Sequence, residues 1–585
     1  MKNIRSLIKY TTRYKGYLWL AITAMLLQVI IGFLIPFIMI DIIDQAIPDG
    51  NMTMLINRSL IMIGLALLGA GTGLVNNYAS NYVGQHAIMN LREDLFTHIQ
   101  SLSFKNVDDL KKSRLITTAT SDIQRVQMFF VMMLRIVVRA PLMVIVGLVL
   151  SLQTSLLLSQ IFYVTMPLLI ISFIVILLKA YPKFKKVQGA LDDINNVVLE
   201  NANAPQVVKS FVSQDYEQER FKKVNDHYKE VNTAAESILA AAEPIIIMIF
   251  NLGIALILVF AQIYLTQNNP SLFANGLPRI GLIMAFAQYS QQILIGLMMF
   301  AMILIFVSRA EVSAQRIQEV MLKNDYIYTP DHPVTQAVEG ALRFDQVGFQ
   351  YGASSAPAID QISFSLKPGE SLAVVGSTGS GKTSLTRLIP RLYEVSSGTI
   401  YLDDVPVQEY DIHHLRDQIG YVTQTAHIFS GSIGTNIALG KDATYESVEQ
   451  ATSEASLTPY IEKEDAGLNS LTAAKGTNLS GGQKQRVSIA RALHKRPKVL
   501  ILDDSTSAVD TATEKAIIQS IDGISPKPTL LLITQKIATA KRLDKILVLT
   551  NSGTMDGVGT HDELLKTSSV YQEIVASQGG QNVSA

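Results

Sequence analysis

The chain has 585 residues, 48% of them hydrophobic, and its 49 basic residues balance 49 acidic ones. This length allows several domains, and zero net charge argues against a nucleic-acid partner. The sequence contains no cysteine, which excludes disulfide bonds and thiol catalysis but does not fix a compartment. Long uncharged stretches dominate up to about Ser308, and an ordinary α/β pattern follows Arg309. The composition therefore predicts a membrane part followed by a soluble part.

The membrane part contains six apolar segments, each long enough to cross the roughly 30 Å hydrocarbon core of a bilayer as a helix. We predict one membrane domain over residues 1–320, with long cytoplasmic extensions of its helices. A very tight turn at Ser151–Ser155 joins the third and fourth spans, and a polar turn at Gln267–Pro270 joins the last two. The predicted spans are about 17–40, 57–84, 129–151, 156–179, 244–266 and 278–308.

Charges beside the first span predict its orientation. Five Lys and Arg residues precede that span, whereas the following loop carries three Asp and neither Lys nor Arg. Because basic residues favour the cytoplasmic side, we expect the N-terminus inside. Six spans then return the C-terminus to the same side. The first apolar run is too long for a secretory signal and no small-residue cleavage site follows it.

The predicted cytoplasmic loops are much longer than the outer turns, so helices are expected to project from the membrane towards a soluble domain. Candidate contact helices lie near Phe104–Leu110 and Phe211–Phe221, the alternative being plain solvated loop. Arg135 and Arg139 lie near the start of the third span. Ionisable groups at that depth either serve a substrate or extend to the inner interface.

Amide side chains are concentrated in the second and sixth spans. Such amides either line a pathway or bridge helices, and no single residue among them identifies a substrate. They are Asn76, Asn77, Asn81 and Gln85 in the second span, and Gln288, Gln291 and Gln292, beside Tyr289, in the sixth.

A glycine-rich run in the soluble part, Gly376–Thr383, fits the phosphate-binding pattern GxxxxGK[ST]. The apolar strand Ser371–Val375 precedes it and a helix over Ser384–Leu392 follows, which is the order that the pattern requires. Glycines let backbone N–H groups turn towards phosphates, and the helix N-terminus adds its dipole. Lys382 is expected to reach the β/γ oxygens and Thr383 to ligate Mg²⁺.

A second element of the soluble part is a buried strand that ends in two carboxylates. We predict a linker over 321–340 and a nucleotide-binding domain over 341–578, within which Val499–Leu502 reads as this strand. Asp503 at its end can hold Mg²⁺ directly or through water. Asp504 follows, where many such enzymes carry a Glu that acts as general base.

These elements, together with Leu479–Gln483 (LSGGQ), resemble one half of an ABC exporter, and the resemblance covers essentially the whole chain. It implies a membrane all-α six-helix domain followed by an α/β P-loop ATPase domain of ABC type, with ATP and Mg²⁺ as cofactors. Tyr351 corresponds to the aromatic residue that stacks on adenine, and Gln424 to a loop that senses Mg²⁺ and the membrane helices. Residues Ser507–Asp510 fit the family's D-loop.

The resemblance also implies a full set of site residues. Nucleotide contacts within this chain fall on Tyr351, Gly376, Ser377, Thr378, Gly379, Ser380, Gly381, Lys382, Thr383, Ser384 and Gln424. Ser480, Gly481, Gly482 and Gln483 would contact a nucleotide held by another subunit. The metal positions are Thr383, Gln424 and Asp503, and the catalytic positions are Asp504 and Gln535.

Three residues depart from the family pattern. Asp504 replaces the usual Glu and is one methylene shorter, and a placement error of roughly 1 Å can cost on the order of a hundredfold in rate. Gln535 replaces the switch His and cannot carry a positive charge. Ala474 stands where a Glu usually precedes Leu479–Gln483, the family's signature motif. Neutral drift explains any one of these, but two changes at both catalytic positions of one site are harder to dismiss.

The pattern resembles the weakened-site subunit of heterodimeric bacterial multidrug exporters. It implies ATP-driven export of hydrophobic or amphipathic compounds from a bacterial plasma membrane, with a second, non-identical half as partner and hydrolysis mainly at the partner's composite site. A lipid or peptide exporter is the first alternative, and a channel-like subunit that binds ATP without transport work is the second. The transported substrate and the identity of the partner stay open, and a homodimer is not strictly excluded.

Overall fold

The computed structural model describes residues 2–266, 273–274, 277–323, 327, 330–352, 356–440 and 443–578. The chain divides into two compact units. The first unit comprises Met1–Gln100 and Lys112–Leu322, and the second comprises Ser101–Lys111 and Lys323–Ala585. The predicted polar turn at Gln267–Pro270 lies outside the described residues, as does part of the predicted linker.

Six helical segments among the described residues are long and apolar enough to cross a membrane. This confirms the predicted six-helix fold class. The segments are Asn3–Ala46, Met52–Ser101, Lys112–Thr154, Leu156–Asn203, Gln214–Ile263 and Ile280–Phe300. The helices up to the end of the first unit are α1 Lys2–Leu7, α2 Lys15–Asp41, α3 Met52–Ser101, α4 Phe104–Leu110, α5 Lys112–Thr117, α6 Ile123–Met132, α7 Arg139–Thr154, α8 Leu156–Ser159, α9 Phe162–Asn203, α10 Pro205–Ser210, α11 Gln214–Thr266 and α12 Ile280–Met321, with a short antiparallel pair, β1 Phe273–Ala274 and β2 Leu277–Pro278.

The tight turn between the third and fourth spans is a break at one residue. Ser155 has extended backbone angles, φ −161° and ψ 108°, between α7 and α8. Its hydroxyl accepts a hydrogen bond from the backbone N–H of Leu158 at 3.3 Å. A serine in this position satisfies a donor at the start of the next helix. One residue is therefore enough to end one helix and begin another.

The structure agrees with the predicted bounds of one of the two contact helices and differs from those of the other. Phe104–Leu110 is a helix, α4, with the predicted bounds. The predicted helix near Phe211–Phe221 is wrong in its bounds: α10 ends at Ser210 and α11 begins at Gln214. Val212 adopts φ 52°, in the left-handed region that disfavours β-branched residues, and this breaks the helix.

Two of the amides in the membrane unit bridge helices. The Asn76 side-chain amide on α3 donates to the Ala21 carbonyl of α2 at 2.8 Å. On α12, the Gln292 amide donates to the Gly32 carbonyl of α2 at 2.9 Å. For these two residues the bridging interpretation therefore describes the structure. Arg135 lies in a π-helical turn, Met133–Val137, between α6 and α7.

Among its described residues, the second unit is an α/β structure with three sheets. The strands are β3 Leu342–Phe349, β4 Ile359–Leu366, β5 Ser371–Gly376, β6 Ser397–Leu402, β7 Val405–Pro406, β8 Ile419–Val422, β9 Gly431–Ser432, β10 Leu471–Thr472, β11 Val499–Asp503, β12 Thr529–Ile533, β13 Lys545–Leu549 and β14 Met555–Gly559. The six-stranded sheet has the order β14-β13-β5-β12-β11-β8, the four-stranded sheet has the order β4-β3-β6-β7, and β9 pairs with β10. The helices are α13 Lys382–Leu388, α14 Ile412–Asp417, α15 Ile433–Ala438, α16 Tyr445–Glu454, α17 Thr458–Ile461, α18 Gly481–His494, α19 Thr511–Asp522, α20 Ile537–Ala540, α21 His561–Thr567 and α22 Ser569–Ser577.

The centre of the large sheet is parallel and buried. Strand β12 runs parallel to both β5 and β11, and every residue of β11 and β12 is buried. Continuous apolar strands are typical of parallel sheets covered on both faces. The carboxyl ends of such strands meet at one edge of the sheet. The residues that follow β5, β11 and β12 are therefore gathered there.

Helix α4 groups with the second unit, although it falls within the predicted membrane range. The Tyr393 hydroxyl donates to the Asp108 carboxylate at 2.5 Å, and the rings of Phe104 and Tyr393 lie 6.2 Å apart. Lys323 and Asp109 form an ion pair at 3.8 Å. These contacts attach the segment that carries α4 to the α/β unit.

Candidate nucleotide-binding site

The glycine loop between β5 and α13 has a backbone that only glycine adopts easily. Gly381 has φ 87°, and a Cβ added there would lie 2.3 Å from the Ala358 carbonyl oxygen. Gly376 has φ 154°, and its added Cβ would lie 2.7 Å from the Leu549 carbonyl oxygen. Any other residue at these two positions would clash with backbone, so the loop geometry depends on glycine.

Lys382, the first residue of α13, lies against this loop. Its ammonium group donates to the carbonyl oxygens of Gly376 at 2.8 Å and Ser377 at 2.6 Å. Burial lowers the pKa of Lys382, and the nearby carboxylates Asp504 and Asp503 act in the opposite direction. The loop thus holds a cationic group in a largely desolvated position, which suits an anionic ligand.

Two oxygen ligands converge beside the lysine. The Thr383 hydroxyl donates to the Asp503 carboxylate at 2.9 Å, and the Tyr421 hydroxyl donates to its other oxygen at 3.4 Å. Asp503 is buried, and burial raises the pKa of this carboxyl. A hydroxyl and a carboxylate in one place fit the all-oxygen preference of Mg²⁺.

Asp504 is held by backbone and side-chain contacts. Its N–H donates to the Ile533 carbonyl at 3.2 Å, and the Gln424 amide donates to its carboxylate at 3.4 Å. Asp504 has φ 48°, a left-handed conformation that sequence analysis did not anticipate. Burial raises the pKa of Asp504, whereas the hydrogen bond from Gln424 lowers it.

Gln535 follows β12 and faces the same cavity. Its carbonyl accepts a hydrogen bond from the Gln578 amide at 2.5 Å, and the Ile537 N–H donates to the Gln578 side-chain oxygen at 3.1 Å. Gln578, just after α22, therefore bonds to both ends of Gln535–Ile537, the switch segment. The sequence offered no motif from which this contact could be predicted.

One cavity of about 330 Å³ collects most of the predicted site residues. Of the loop residues, Gly376, Ser377 and Ser380 shape the loop without lining the cavity. Ala358 and Ile533 line it and were not predicted, since apolar lining residues carry no motif. The lining residues are Tyr351, Ala358, Thr378, Gly379, Gly381, Lys382, Thr383, Ser384, Gln424, Asp503, Asp504, Ile533 and Gln535.

Tyr351 forms one wall of this cavity. Its hydroxyl lies 3.0 Å from the Ser384 hydroxyl, and its ring packs edge-on against Phe349 and Tyr393 with centroids 4.8 and 5.3 Å away. Its side chain stays 41% exposed. A supported but partly open aromatic ring suits stacking with a planar base.

The signature residues lie elsewhere in the unit and do not line the cavity. Ser480 caps α18: its hydroxyl accepts from the Gln483 N–H at 3.3 Å, and its own N–H donates to the Gln483 side chain at 2.7 Å. A Cβ added to Gly482 would lie 3.0 Å from the Ala508 carbonyl oxygen. The motif is thus a rigid helix N-terminus, a type of structure that binds anions, and Ser480 and Gly481 are exposed. Ala474 lies in a short turn before it.

Taken together, the cavity fits a magnesium nucleotide. Glycine-dependent backbone, a desolvated ammonium, a hydroxyl–carboxylate pair and a supported aromatic ring match phosphate, Mg²⁺ and base respectively. Asp504 and Gln535 add a carboxylate and an amide to the lining of the same cavity.

Comparisons with known proteins support this reading. The family description "ABC transporter transmembrane region" matches residues 18–275, and "ABC transporter" matches residues 359–507. A Bacillus subtilis protein named "Uncharacterized ABC transporter ATP-binding protein YfiB" is 36% identical over 563 residues, 96% of each chain. A Vibrio parahaemolyticus "ATP-dependent lipid A-core flippase" is 28% identical over 99% of this chain and 98% of its own.

The fold also matches a solved structure, "Structure of a bacterial Atm1-family ABC exporter with ATP bound". The TM-score is 0.75 at 22% sequence identity, and the match covers 97% of this chain and 99% of the other. At this identity the likeness concerns the fold. With relatives at higher identity matching from end to end, the chain belongs to the ABC transporter family, as an exporter half in which a transmembrane domain is fused to an ABC ATPase domain.

Proposed function

We propose that this chain is the weakened-site half of a heterodimeric ABC exporter that moves hydrophobic or amphipathic compounds. The observation that carries the proposal is the composition of one cavity. Lys382 and Thr383 retain the groups that hold phosphates and Mg²⁺, while Asp504 and Gln535, on the same cavity, lack those that drive hydrolysis. Such a site would bind ATP well and cleave it slowly.

The binding side of the site acts through fixed groups. Lys382 would neutralise phosphate oxygens, the loop backbone would donate N–H groups to them, and Thr383 with Asp503 would hold Mg²⁺. Tyr351 would stack on the base. Bound ATP supplies the free energy that favours closure of two ATPase domains over one another. It can do so because only the closed state offers both walls of each site.

The hydrolytic side is weak for two physical reasons. A general base must come within about 2.6–3.2 Å of the proton it takes, directly or through one water. Asp504 has a shorter side chain than Glu, and its carboxylate already accepts from Gln424. Gln535 can donate a hydrogen bond but cannot supply the charge-assisted contact of a protonated His.

The signature helix would serve a different nucleotide. Ser480–Gln483 present a capped helix N-terminus away from this chain's own cavity. We propose that it closes over ATP held by the partner half, whose site would carry most of the hydrolysis. Both termini and the ATPase unit would lie in the cytoplasm of a bacterial cell, as the basic residues before the first span predict.

A paired ATPase measurement tests the proposal. The full chain, purified alone in lipid nanodiscs, is expected to hydrolyse Mg-ATP at least ~10-fold more slowly than the chain co-expressed with a second half that carries a Glu at the position corresponding to Asp504. The double variant D504E/Q535H of the single chain is the matched control and should be faster than the single wild-type chain. Equal rates for the single chain and the pair would refute the asymmetric assignment.

A lipid substrate is the second candidate. It is favoured by the relative named as a lipid A-core flippase, which matches along nearly the whole chain. Substrate-stimulated ATPase distinguishes the two. If phospholipids but not hydrophobic dyes stimulated the ATPase rate, at matched partition into the nanodisc, the transported substrate would be a lipid and not a drug-like compound.

A further inference from the structure

We infer that Glu514 is a positioning residue that links the signature helix to the switch segment within the ATPase unit. Glu514 lies in the first turn of α19, and its side chain is only 2% exposed. Acidic residues are almost never fully buried unless they are paired. The partners of Glu514 lie in two different segments of the unit.

Each carboxylate oxygen of Glu514 contacts a different loop. The Thr506 hydroxyl, three residues after Asp503, donates to one oxygen at 2.7 Å. The Lys536 ammonium, adjacent to Gln535, donates to the other at 2.8 Å. Glu514 therefore ties the segment that follows β11 to the segment that follows β12, and these two segments carry Asp504 and Gln535.

The segment after β11 is tied to the signature helix as well. Gln485 on α18 is buried; its side-chain oxygen accepts from the Ala508 N–H at 3.0 Å, and its amide donates to the Ser507 hydroxyl at 3.4 Å. Four hydrogen bonds, joined through the covalent segment Thr506–Ala508, thus form a relay from Gln485 to Glu514 and Lys536. All four lie within one compact unit.

The relay has a consequence that depends on the proposed function. In the proposed function, the signature helix α18 closes over the partner's nucleotide, whereas Gln535 faces the nucleotide of this chain. Because Glu514 bonds both sides at once, a shift of the switch segment at one site changes the position of the signature helix at the other. A shift of about 1 Å at a reacting group changes rates by on the order of a hundredfold. The state of this chain's slowly hydrolysing site can therefore still set the hydrolysis rate at the partner's site.

The variant that tests this is Glu514→Gln in the full chain. Gln keeps the size and an acceptor for Thr506 but has no charge for Lys536, whose side chain is 38% exposed and can turn to water. We expect the ATPase rate of the assembly in which the chain purifies to fall about 10-fold. Asp522→Asn is the matched control, because it removes an exposed ion pair with Lys527 (2.9 Å) from the same helix. It should leave the rate unchanged.

A double-mutant cycle separates positioning from general destabilisation. Thr506→Val and Lys536→Met remove the two ends of the link, and their effects should not multiply, since either one breaks the relay. Thr506→Ser and Lys536→Arg keep the donors and should restore the rate. The cycle also covers the case in which Glu514→Gln fails to fold, because Thr506→Val removes only a hydroxyl.

Three outcomes would overturn the relay: an unchanged rate in Glu514→Gln, multiplicative effects of Thr506→Val and Lys536→Met, or no rescue by the conservative variants. Failure of the proposed function gives a different signature. If two identical copies hydrolysed ATP rapidly, the proposed asymmetry would fail. The ATPase rate of the Glu514→Gln homodimer relative to that of the wild-type homodimer would still report on the relay. The two proposals therefore stand or fall on separate measurements.

Discussion

The two sides of the nucleotide cavity differ in their chemistry. The phosphate-loop side has glycines at its strained positions, a desolvated Lys382 and the Thr383–Asp503 pair. The switch side has Asp504 in place of the usual Glu and Gln535 in place of the usual His. In the proposed function, one side would hold the nucleotide through fixed charges and backbone, and the other would have to place a proton acceptor within a fraction of an ångström. We therefore expect that substitutions can impair binding and hydrolysis separately.

The largest effect is expected at the signature helix. Gly482→Ala adds a Cβ about 3.0 Å from the Ala508 carbonyl and disturbs the helix N-terminus. The ATPase rate of the co-expressed pair should fall by ~100-fold or more, as when a phosphate- or oxyanion-facing donor is lost. The control is Gly523→Ala, where φ is −81° and the added Cβ meets only ordinary contacts, at 3.5 Å or more. A nearly normal rate for Gly482→Ala would place the active site elsewhere.

Removing the lysine of the phosphate-loop side should come next. Lys382→Ala is expected to weaken nucleotide binding at this chain's own cavity about 30-fold, because a charged partner of the phosphates is lost. Partial ATPase should survive in the co-expressed pair. Equilibrium binding of a fluorescent ATP analogue and steady-state ATPase check the two parts separately, with the exposed Lys541→Ala as control. Complete loss of ATPase in the pair would contradict the asymmetry between the sites.

Repairing the switch side sharpens the comparison further. Asp504→Glu should raise the ATPase rate of the single chain several-fold, limited by Gln535, and adding Gln535→His should raise it to about 10-fold. The repaired chain should also acquire a pH dependence near 6.5, the ordinary pKa of His. Asp504→Asn cannot act as a base and serves as the control. If the double repair left the rate unchanged, the weakness would lie outside these two positions.

The smallest effect concerns stability rather than rate. Burial raises the pKa of Asp503 in the folded chain, so the fold binds a proton more tightly than the unfolded chain does. Stability should therefore decline as pH rises from about 4 through the folded pKa. Asp503→Asn removes this decline, and its melting temperature without Mg²⁺ at pH 7 should exceed that of wild type by on the order of 2 °C. Melting curves of both proteins from pH 4 to pH 8 test this; a difference in melting temperature that stays constant over this range would contradict it.

The sequence predicted the fold class because apolar length and glycine spacing report directly on membrane spans and on the phosphate loop. Motifs also placed Lys382, Asp503 and Gln535 in one site, and these residues line one cavity; their catalytic and binding roles stay predictions. Local sequence patterns did not predict structure that depends on backbone conformation or on contacts between residues far apart in the chain. Val212 broke a helix-friendly stretch through its backbone conformation, and α4 joined the second unit through Tyr393 and Asp108.

Other parts of the site carry no local signal. Asp504 combines a left-handed backbone with a hydrogen bond to Ile533 on a neighbouring strand. Gln578 reaches the switch segment from 43 residues further along the chain. Glu514 reads as an ordinary exposed helix residue until the fold buries it between Thr506 and Lys536. Each of these depends on tertiary proximity, which a single sequence does not contain.

The one-residue corner at Ser155 bears on how the protein is made. With α7 and α8 separated by a single residue, almost no polar chain has to be carried across the bilayer at this point. Leu158, Ser159 and Ile161, just beyond the corner, are buried among other residues of the unit. A connection this short leaves little backbone outside the two helices, so we expect the third and fourth spans to insert together as a helical hairpin.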